Sequence, residues 1–166
     1  MNLLAGIYVV SAFLGGQSGL TISNDLGKSL EHSGEVANLI NVGGANITEE
    51  NVTGANFAGQ NLSGAIIARS NATGADFSGA NLSGATLDAS NFTGANFAQA
   101  NLTGATINSS NMTGAIFTGA CLEGITIFAS NFAETDLTNA NLTGAEMQYT
   151  NLDTADMTGV VRDSNC

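Results

Sequence analysis

The sequence predicts a repeat solenoid, in which the chain winds into stacked and similar coils, and three observations support this. Every fifth residue from Val42 to Met157 is apolar without exception. This period fits neither the 3.6-residue period of a helix nor the two-residue period of a flat strand. Residues twenty apart also resemble one another more closely than residues five apart. Glycine recurs two positions after the apolar residue, as at Gly54 and Gly64, where a corner needs a positive φ.

The longer period predicts coils with four sides. One side carries phenylalanine in four successive coils and then leucine, and the next carries leucine throughout. These sets are Phe57, Phe77, Phe97, Phe117 and Leu137, then Leu62, Leu82, Leu102, Leu122 and Leu142. Another side is marked by serine at its small position, at Ser70, Ser90, Ser110 and Ser130. Like side chains stacked one strand spacing apart, about 4.8 Å, explain such a period in a solenoid.

Most five-residue units have a small residue, then Asn or Asp, then the apolar centre, and usually Thr or Ser and then Gly. The segments ADFSG (75–79), ANLSG (80–84) and ANLTG (100–104) show it best. These units resemble the pentapeptide-repeat family over residues 40–159. The resemblance implies an all-β, right-handed quadrilateral β-helix, with about six coils of twenty residues. It also implies that the apolar centre and the small residue before it point inward.

The chain divides into a capping segment at residues 1–39, the repeats at 40–159 and a tail at 160–166. The first residues are apolar to about position 14, which is short of the roughly 20 residues that a membrane-spanning helix needs. A signal peptide and a retained structural segment both remain open. Its β-branched and aromatic run IYVV favours a strand. The stretch SNDLGKSLEH is expected to form a short helix with Asn24 or Asp25 as N-cap.

Asparagine forms columns on the outward positions of three sides. Stacked amides are expected to hydrogen-bond along the rod, as asparagine ladders do in cross-β stacks. Many of these asparagines also read as N-glycosylation acceptors, because Thr or Ser follows two positions later. The repeat creates this pattern by itself, so glycosylation depends on export of the chain. The candidate glycan sites are Asn51, Asn71, Asn91, Asn101 and Asn111.

The fourth side lacks the asparagine column and is the candidate interaction face. Its outward residues are expected to pack laterally against another subunit or against the chain's own termini. A flat threonine column can also order water for ice binding, which is a further reading of the same side. The residues of this face are Ile66, Thr86, Thr106, Thr126, Phe128 and Tyr149.

The charge balance limits the partners. Fourteen acidic residues stand against Lys28, Arg69 and Arg162, which gives a net charge of −11. This argues against binding to nucleic acid or anionic lipid, since both need clustered Lys and Arg, and it permits a basic protein partner. Some pentapeptide-repeat proteins resemble duplex DNA and modulate DNA gyrase. The sequence shows no continuous acidic column, so that function is the alternative.

The sequence offers no catalytic, cofactor-binding or metal-binding motif. His32 is the only histidine, and no Ser-His-Asp set, zinc-type spacing or phosphate-binding glycine motif occurs. Cys121 and Cys166 could form one bridge, link two subunits or remain free thiols. The compartment therefore stays open, with an extracellular or periplasmic location slightly favoured.

The leading functional prediction is a non-catalytic structural or interaction protein that assembles with itself head to tail. A solenoid has exposed β edges at both ends, and the tail after Met157 is too short to form a stable capping helix. An apolar N-terminal segment is expected to bind a neighbouring subunit or complete its edge. The residues of this assembly segment are Leu3, Leu4, Ile7, Tyr8, Val9, Val10, Phe13 and Leu14.

Overall fold

The computed structural model describes residues 9–10, 21–23, 29–31, 43–164 and 166. Three short N-terminal strands form an antiparallel sheet in the order β1-β2-β3. Their bounds are Val9–Val10, Thr21–Ser23 and Ser29–Glu31. The strand at Val9–Val10 agrees with the β-branched composition of IYVV.

The helix predicted over residues 23–32 is wrong at its C-terminal part. Ser29–Glu31 form β3, in which Leu30 pairs with Ile22 of β2. A ten-residue helix has little stability of its own, so pairing with a neighbouring strand overrides its local preference. Asn24, Asp25 and His32 lie outside the described residues.

The second sheet is parallel and forms one side of the solenoid. Its six strands follow in the order β4-β5-β6-β7-β8-β9, and each residue pairs with the residue twenty positions further on. The strands are Asn46–Thr48, Ile66–Ala68, Thr86–Asp88, Thr106–Asn108, Thr126–Phe128 and Glu146–Gln148.

The other three sides pair through single parallel bridges, such as Asn51 with Asn71. Each of these sides ends in a tight turn. In one of them, the N–H of Ala55 donates to the carbonyl of Val52 at 3.0 Å. Gly54, the third residue of that turn, has a φ of 65°. A type II turn requires a positive φ at this position, and glycine adopts it without a steric penalty. The predicted role of the corner glycines is therefore confirmed.

The corner after the parallel sheet is built differently. Its left-handed residues are not glycines but Arg69, Ala89 and Ser109 in successive coils, at φ values of 48° to 50°. No turn hydrogen bond closes this corner. Instead, the N–H of Ser70 donates to Oγ of Ser90 at 2.9 Å. The serine column predicted as a mark of one side is thus a hydrogen-bonded ladder.

The core fills the inside of the coils. The apolar centre residues from Ile47 to Leu142 and the small residues that precede them are buried, as the resemblance implied. Phe57, Phe77, Phe97 and Phe117 stack with ring centroids 4.9 Å apart. The last coil is less protected. Its apolar residues are only partly buried, and they are Ala145, Met147, Leu152, Ala155, Met157 and Val160.

The predicted fold class, an all-β solenoid with four sides, is confirmed. The coil count is slightly lower than the six predicted, because five complete turns run from β4 to β9. The chain from the end of β9 at Gln148 to Val161 adds most of another turn. Within the described ranges, the chain contains no helix of the length and apolarity needed to cross a membrane.

Candidate interaction surfaces

The candidate interaction face is the outer surface of the parallel sheet. Ile66, Thr86, Thr106 and Thr126 follow one another in register on successive strands, and Glu146 comes after them. The structure therefore brings the predicted column together. Only three threonines are consecutive, between an isoleucine at one end and a glutamate at the other.

The aromatic residues of this face form a separate pair. Phe128 and Tyr149 meet edge to face, with ring centroids 5.3 Å apart. Tyr149 is 80% exposed and Phe128 is 43% exposed. Ile66 lies on β5, and two strands, β6 and β7, separate it from the β8 strand that carries Phe128. The predicted apolar residues consequently do not form one continuous patch.

The asparagine columns cap the corners of the rod. Oδ1 of Asn91 accepts hydrogen bonds from the backbone N–H and from Oγ1 of Thr93, at 3.1 and 2.6 Å. The same arrangement holds Thr103 to Asn101. Asparagine is suited to this local side-chain-to-backbone bond, which stabilises turns. The Asn-x-Thr pattern therefore stabilises the corner without any glycan, and glycosylation of these sites stays a prediction.

The expected amide ladder forms only in part. Nδ2 of Asn111 donates to Oγ1 of Thr93 in the preceding coil at 3.1 Å, and Nδ2 of Asn131 donates to Oγ1 of Thr113 at 2.9 Å. A direct bond between asparagines joins Asn151 to Asn131 in the coil below, where Nδ2 of Asn151 donates to Oδ1 of Asn131 at 3.4 Å. The reason is that each Oδ1 is already engaged in its own corner, which leaves the threonine hydroxyl as the acceptor between coils.

The C-terminal edge of the solenoid carries backbone groups that have no following coil. In the coil before it, the N–H of Phe132 donates to the carbonyl of Asn151 at 3.0 Å. The equivalent N–H groups of Leu152 and Met157 have no backbone acceptor among the described residues. The carbonyls of Thr150 and Ala155 likewise accept no backbone hydrogen bond there. The edge therefore combines unpaired polar backbone with a partly exposed apolar centre.

The C-terminal tail does not cover this edge, because it turns back along the rod. Val161 still pairs with Asn141. The carbonyl of Ser164 then accepts hydrogen bonds from Nδ2 of Asn141 and Oγ1 of Thr143, at 2.6 and 2.8 Å. Cys166 forms a disulfide with Cys121, which lies two coils below Val161 on the same side.

Of the three possibilities left open for the cysteines, the structure has the single bridge. The docking of the tail was not predicted, although a signal existed. Cys121 interrupts a column that holds asparagine in the coils on either side, and Glu123 stands where Thr103 and Thr143 stand. Both departures are used by the tail. Cys121 provides one sulfur of the disulfide, and Oε2 of Glu123 accepts a hydrogen bond from the N–H of Cys166 at 3.4 Å.

In the described part of the chain, one cluster of side chains resembles a metal site, and it consists of the residues that hold the tail. The ligand atoms of Cys121, Glu123 and Cys166 lie within 4.8 Å of one another. The two sulfurs are bonded to each other, and it is the thiolate that binds metal. In this oxidised form the group is therefore a covalent link.

Acidic side chains gather towards the C-terminal end. Thr118 Oγ1 donates to Oδ2 of Asp136 at 2.7 Å. Hydrogen bonds from Thr138 and then Thr118 hold the pKa of Asp136 below its usual value. Hydrogen bonds from Thr158 likewise lower the pKa of Asp156. Both carboxylates thus remain charged at neutral and mildly acidic pH.

At the opposite end, Arg69 forms an ion pair with Glu49 of the preceding coil, with a nitrogen-to-oxygen distance of 2.9 Å. Both side chains are more than half exposed, so the pair contributes little stability. Lys28 lies outside the described residues. Of the predicted assembly segment, only Val9 and Val10 are described, as strand β1.

Comparison with known proteins places the repeat in a family. The family model for pentapeptide repeats matches eight copies, over residues 51–88, 80–119, 90–127 and 120–159. None of the curated proteins compared with the chain matches it. Among solved structures, it is similar to a pentapeptide repeat protein from the thylakoid lumen of Arabidopsis thaliana. That protein is 28% identical, with 63% of this chain and 70% of that chain covered and a TM-score of 0.48.

Two further solved structures are more distant. A pentapeptide repeat protein from Nostoc is 23% identical, over 68% of this chain and 84% of that chain, with a TM-score of 0.44. QnrB1, a plasmid-mediated fluoroquinolone resistance protein, is 16% identical, over 71% and 73%, with a TM-score of 0.27. These TM-scores carry no conclusion on function. The repeat match extends over more than half of the sequence and agrees with the four-sided coils, so the chain belongs to the pentapeptide repeat family.

Proposed function

We propose that this protein is a non-catalytic scaffold subunit that assembles with copies of itself end to end. The observation that carries the proposal is the C-terminal edge. Its N–H and carbonyl groups are arranged to pair with one more coil, and the apolar residues Met147, Leu152 and Met157 lie partly exposed inside it. An open β edge above an apolar surface favours association with another chain.

A second copy offers the matching half of this pattern. Within the solenoid, the N–H of Asn71 donates to the carbonyl of Glu50 in the preceding coil at 2.9 Å. The equivalent N–H groups of Asn51 and Asn56, in the first coil, have no backbone acceptor within the described ranges. Among the described residues, the backbone donors of the first coil therefore complement the backbone acceptors of the C-terminal edge. Such head-to-tail contacts produce filaments when the rotation between copies does not close.

The apolar N-terminal segment is proposed to strengthen the contact between copies. Residues 3–14 contain no charged side chain, so they can approach the acidic C-terminal end without like-charge repulsion. A chain lacking residues 1–16 is expected to associate more weakly than the full chain.

The test compares Met157→Lys with Thr158→Lys by size-exclusion chromatography with light scattering and by negative-stain electron microscopy. Met157 is partly buried at the edge, whereas Thr158 beside it is exposed. Because an ammonium group resists burial in an apolar contact, Met157→Lys is expected to reduce the assemblies to monomers. Thr158→Lys adds the same charge and serves as the control.

We expect the unchanged chain and Thr158→Lys to form rods longer than one molecule. A single monomeric species for the unchanged chain and both variants, at all concentrations tested, contradicts self-assembly. Loss of assembly in both lysine variants points to charge alone and contradicts the proposed use of the edge.

The second candidate function is modulation of DNA gyrase by an acidic surface. Asp136 and Asp156 support it, because they are adjacent in register and both have a lowered pKa. We prefer the scaffold function, because Ile116 and two asparagines interrupt this acidic column. A supercoiling assay separates the two functions, because a scaffold leaves gyrase activity unchanged.

A further inference from the structure

The C-terminal tail holds the last coil through contacts that lie outside the repeat pattern. Val161 ends the coil with two hydrogen bonds, from its N–H to the carbonyl of Ala140 at 2.9 Å and from the N–H of Leu142 to its carbonyl at 2.8 Å. Continuing the repeat would place Arg162 at an inward centre position. Burying an unpaired guanidinium there costs free energy, so the register ends and the tail leaves the end of the rod.

The tail is then attached to two successive coils, on the side of the solenoid that contains Val161. Ser164 lies within hydrogen-bond distance of Asn141 and Thr143 in the last complete repeat of that side. Cys166 reaches the level below, where it is bonded to Cys121 and hydrogen-bonded to Glu123. Between residues 61 and 143, Cys121 and Glu123 are the two positions at which this side departs from Asn and from Thr or Ser.

The last coil of the region that this link encloses has the least buried core of the described solenoid. Met147, Leu152 and Met157 are partly buried, whereas Phe97 and Leu102 in the middle of the rod are fully buried. A terminal repeat packs against one neighbour, and solenoids therefore need a cap at each end. The disulfide closes a loop across 45 residues, which constrains the unfolded form of the terminal coils.

We propose that the Cys121–Cys166 disulfide is a redox latch that keeps the terminal coil, and with it the C-terminal edge, folded. Cys166 is exposed while Cys121 is partly buried. A thiolate of a dithiol reductant therefore attacks Sγ of Cys166, forming a mixed disulfide and releasing Cys121 as a thiolate that takes up a proton. The second thiol of the reductant then displaces Cys166 as a thiol, and the reductant leaves as a cyclic disulfide.

The reduced chain retains only hydrogen bonds between its tail and the rod. Those bonds are exposed, and water competes with them, so the tail dissociates and residues 142–161 open more often. The proposal rests on the proposed function in one respect only, because loss of self-assembly on reduction follows if the edge is the contact between copies.

The test is hydrogen–deuterium exchange of the full chain with and without dithiothreitol, read by mass spectrometry. We expect exchange of backbone amides in residues 142–161 to rise at least tenfold on reduction, while residues 66–108 stay unchanged. Cys166→Ser is expected to show the fast exchange without reductant and no further response to it. Light scattering on the same samples reports the assembly.

The outcomes separate the latch from the proposed function. Unchanged exchange in residues 142–161, for both the reduced chain and Cys166→Ser, overturns the latch. Faster exchange in a chain that is monomeric in both redox states supports the latch and contradicts the scaffold. Faster exchange with assemblies that persist overturns the redox control of the edge.

Discussion

At the scale of single residues, the outward asparagines act as corner caps. Each accepts the N–H of the residue two positions later, and where that residue is threonine its hydroxyl as well, as in Asn91 with Thr93. Asp76 does the same for the N–H of Ser78 at 3.0 Å. The corner uses an acceptor oxygen at this distance from the backbone, which explains why Asp replaces Asn at positions 76, 136 and 156 of one column.

Replacing Asn91 tests this role. Asn91→Ala removes the acceptor of both hydrogen bonds and is expected to lower the free energy of unfolding by about 1 kcal/mol. Asn91→Asp keeps the acceptor and serves as the matched control. Urea denaturation followed by circular dichroism measures the difference. Equal unfolding midpoints for the alanine and aspartate variants contradict a capping role.

Glu50 is the residue that least fits its position. It occupies an inward position that alanine or serine fills in most units, and it is 8% exposed. Burial raises its pKa above the ordinary value of 4.5. Its Oε1 has no hydrogen-bond partner among the described residues. Ionisation of this carboxyl therefore opposes folding.

The pH dependence of Glu50→Gln tests this conclusion. Because the folded-state pKa is raised, the stability of the unchanged chain falls as the pH rises from the ordinary value of 4.5 through the folded-state value. Glutamine cannot ionise, so the variant is expected to melt at a higher temperature at pH 7. The gap closes below about pH 4, where both states hold the proton. A gap that is the same at both pH values contradicts the charge-based explanation.

At the scale of elements, one side of the coil differs from the others because its strands are longer. Three residues per strand leave no room for the tight turn that closes the other sides. The serine ladder replaces that turn. Oγ of Ser110 accepts the N–H of Ser90 at 3.1 Å and donates to the carbonyl of Asn108 at 3.0 Å. Alanine at this position cannot provide either bond.

Ser110→Ala is expected to lower the free energy of unfolding by roughly 1 to 3 kcal/mol, because it leaves the buried N–H of Ser90 without a partner. Ser109→Ala is the matched control. Ser109 lies at the exposed left-handed corner, where Ala89 and Ala129 stand in the adjacent coils. Thermal unfolding measures both variants, and equal losses of stability for the two contradict a ladder function.

At the scale of the whole molecule, protection of the core falls off towards the C-terminal end. The phenylalanines from Phe57 to Phe117 stack at a constant 4.9 Å, and every centre residue from Ile47 to Leu142 is buried. The next centre residues are only partly buried. The same end carries most of the acidic residues of the solenoid and the disulfide. Its open edge, its charge and its latch therefore belong to one region, and assembly and redox state are expected to act on it together.

Much of the fold could be predicted from the sequence, since the five-residue period assigns each residue to an inward or outward position. Phe97 and Thr106, for example, lie where the period puts them. The candidate surfaces were less predictable. Phe128 and Tyr149 were assigned to one face by register, but their contact and their separation from Ile66 depend on where each strand lies.

The sequence by itself determined the solenoid, its four sides and its buried columns, because each of these is a repeated local choice between apolar, small and polar residues. The tertiary structure alone decided how the ends are finished. The pairing of Ser29–Glu31 with β2 and the return of Cys166 to Cys121 bring together residues that no period relates. Such contacts depend on the path of the chain in space, and it is at these ends that the proposed assembly takes place.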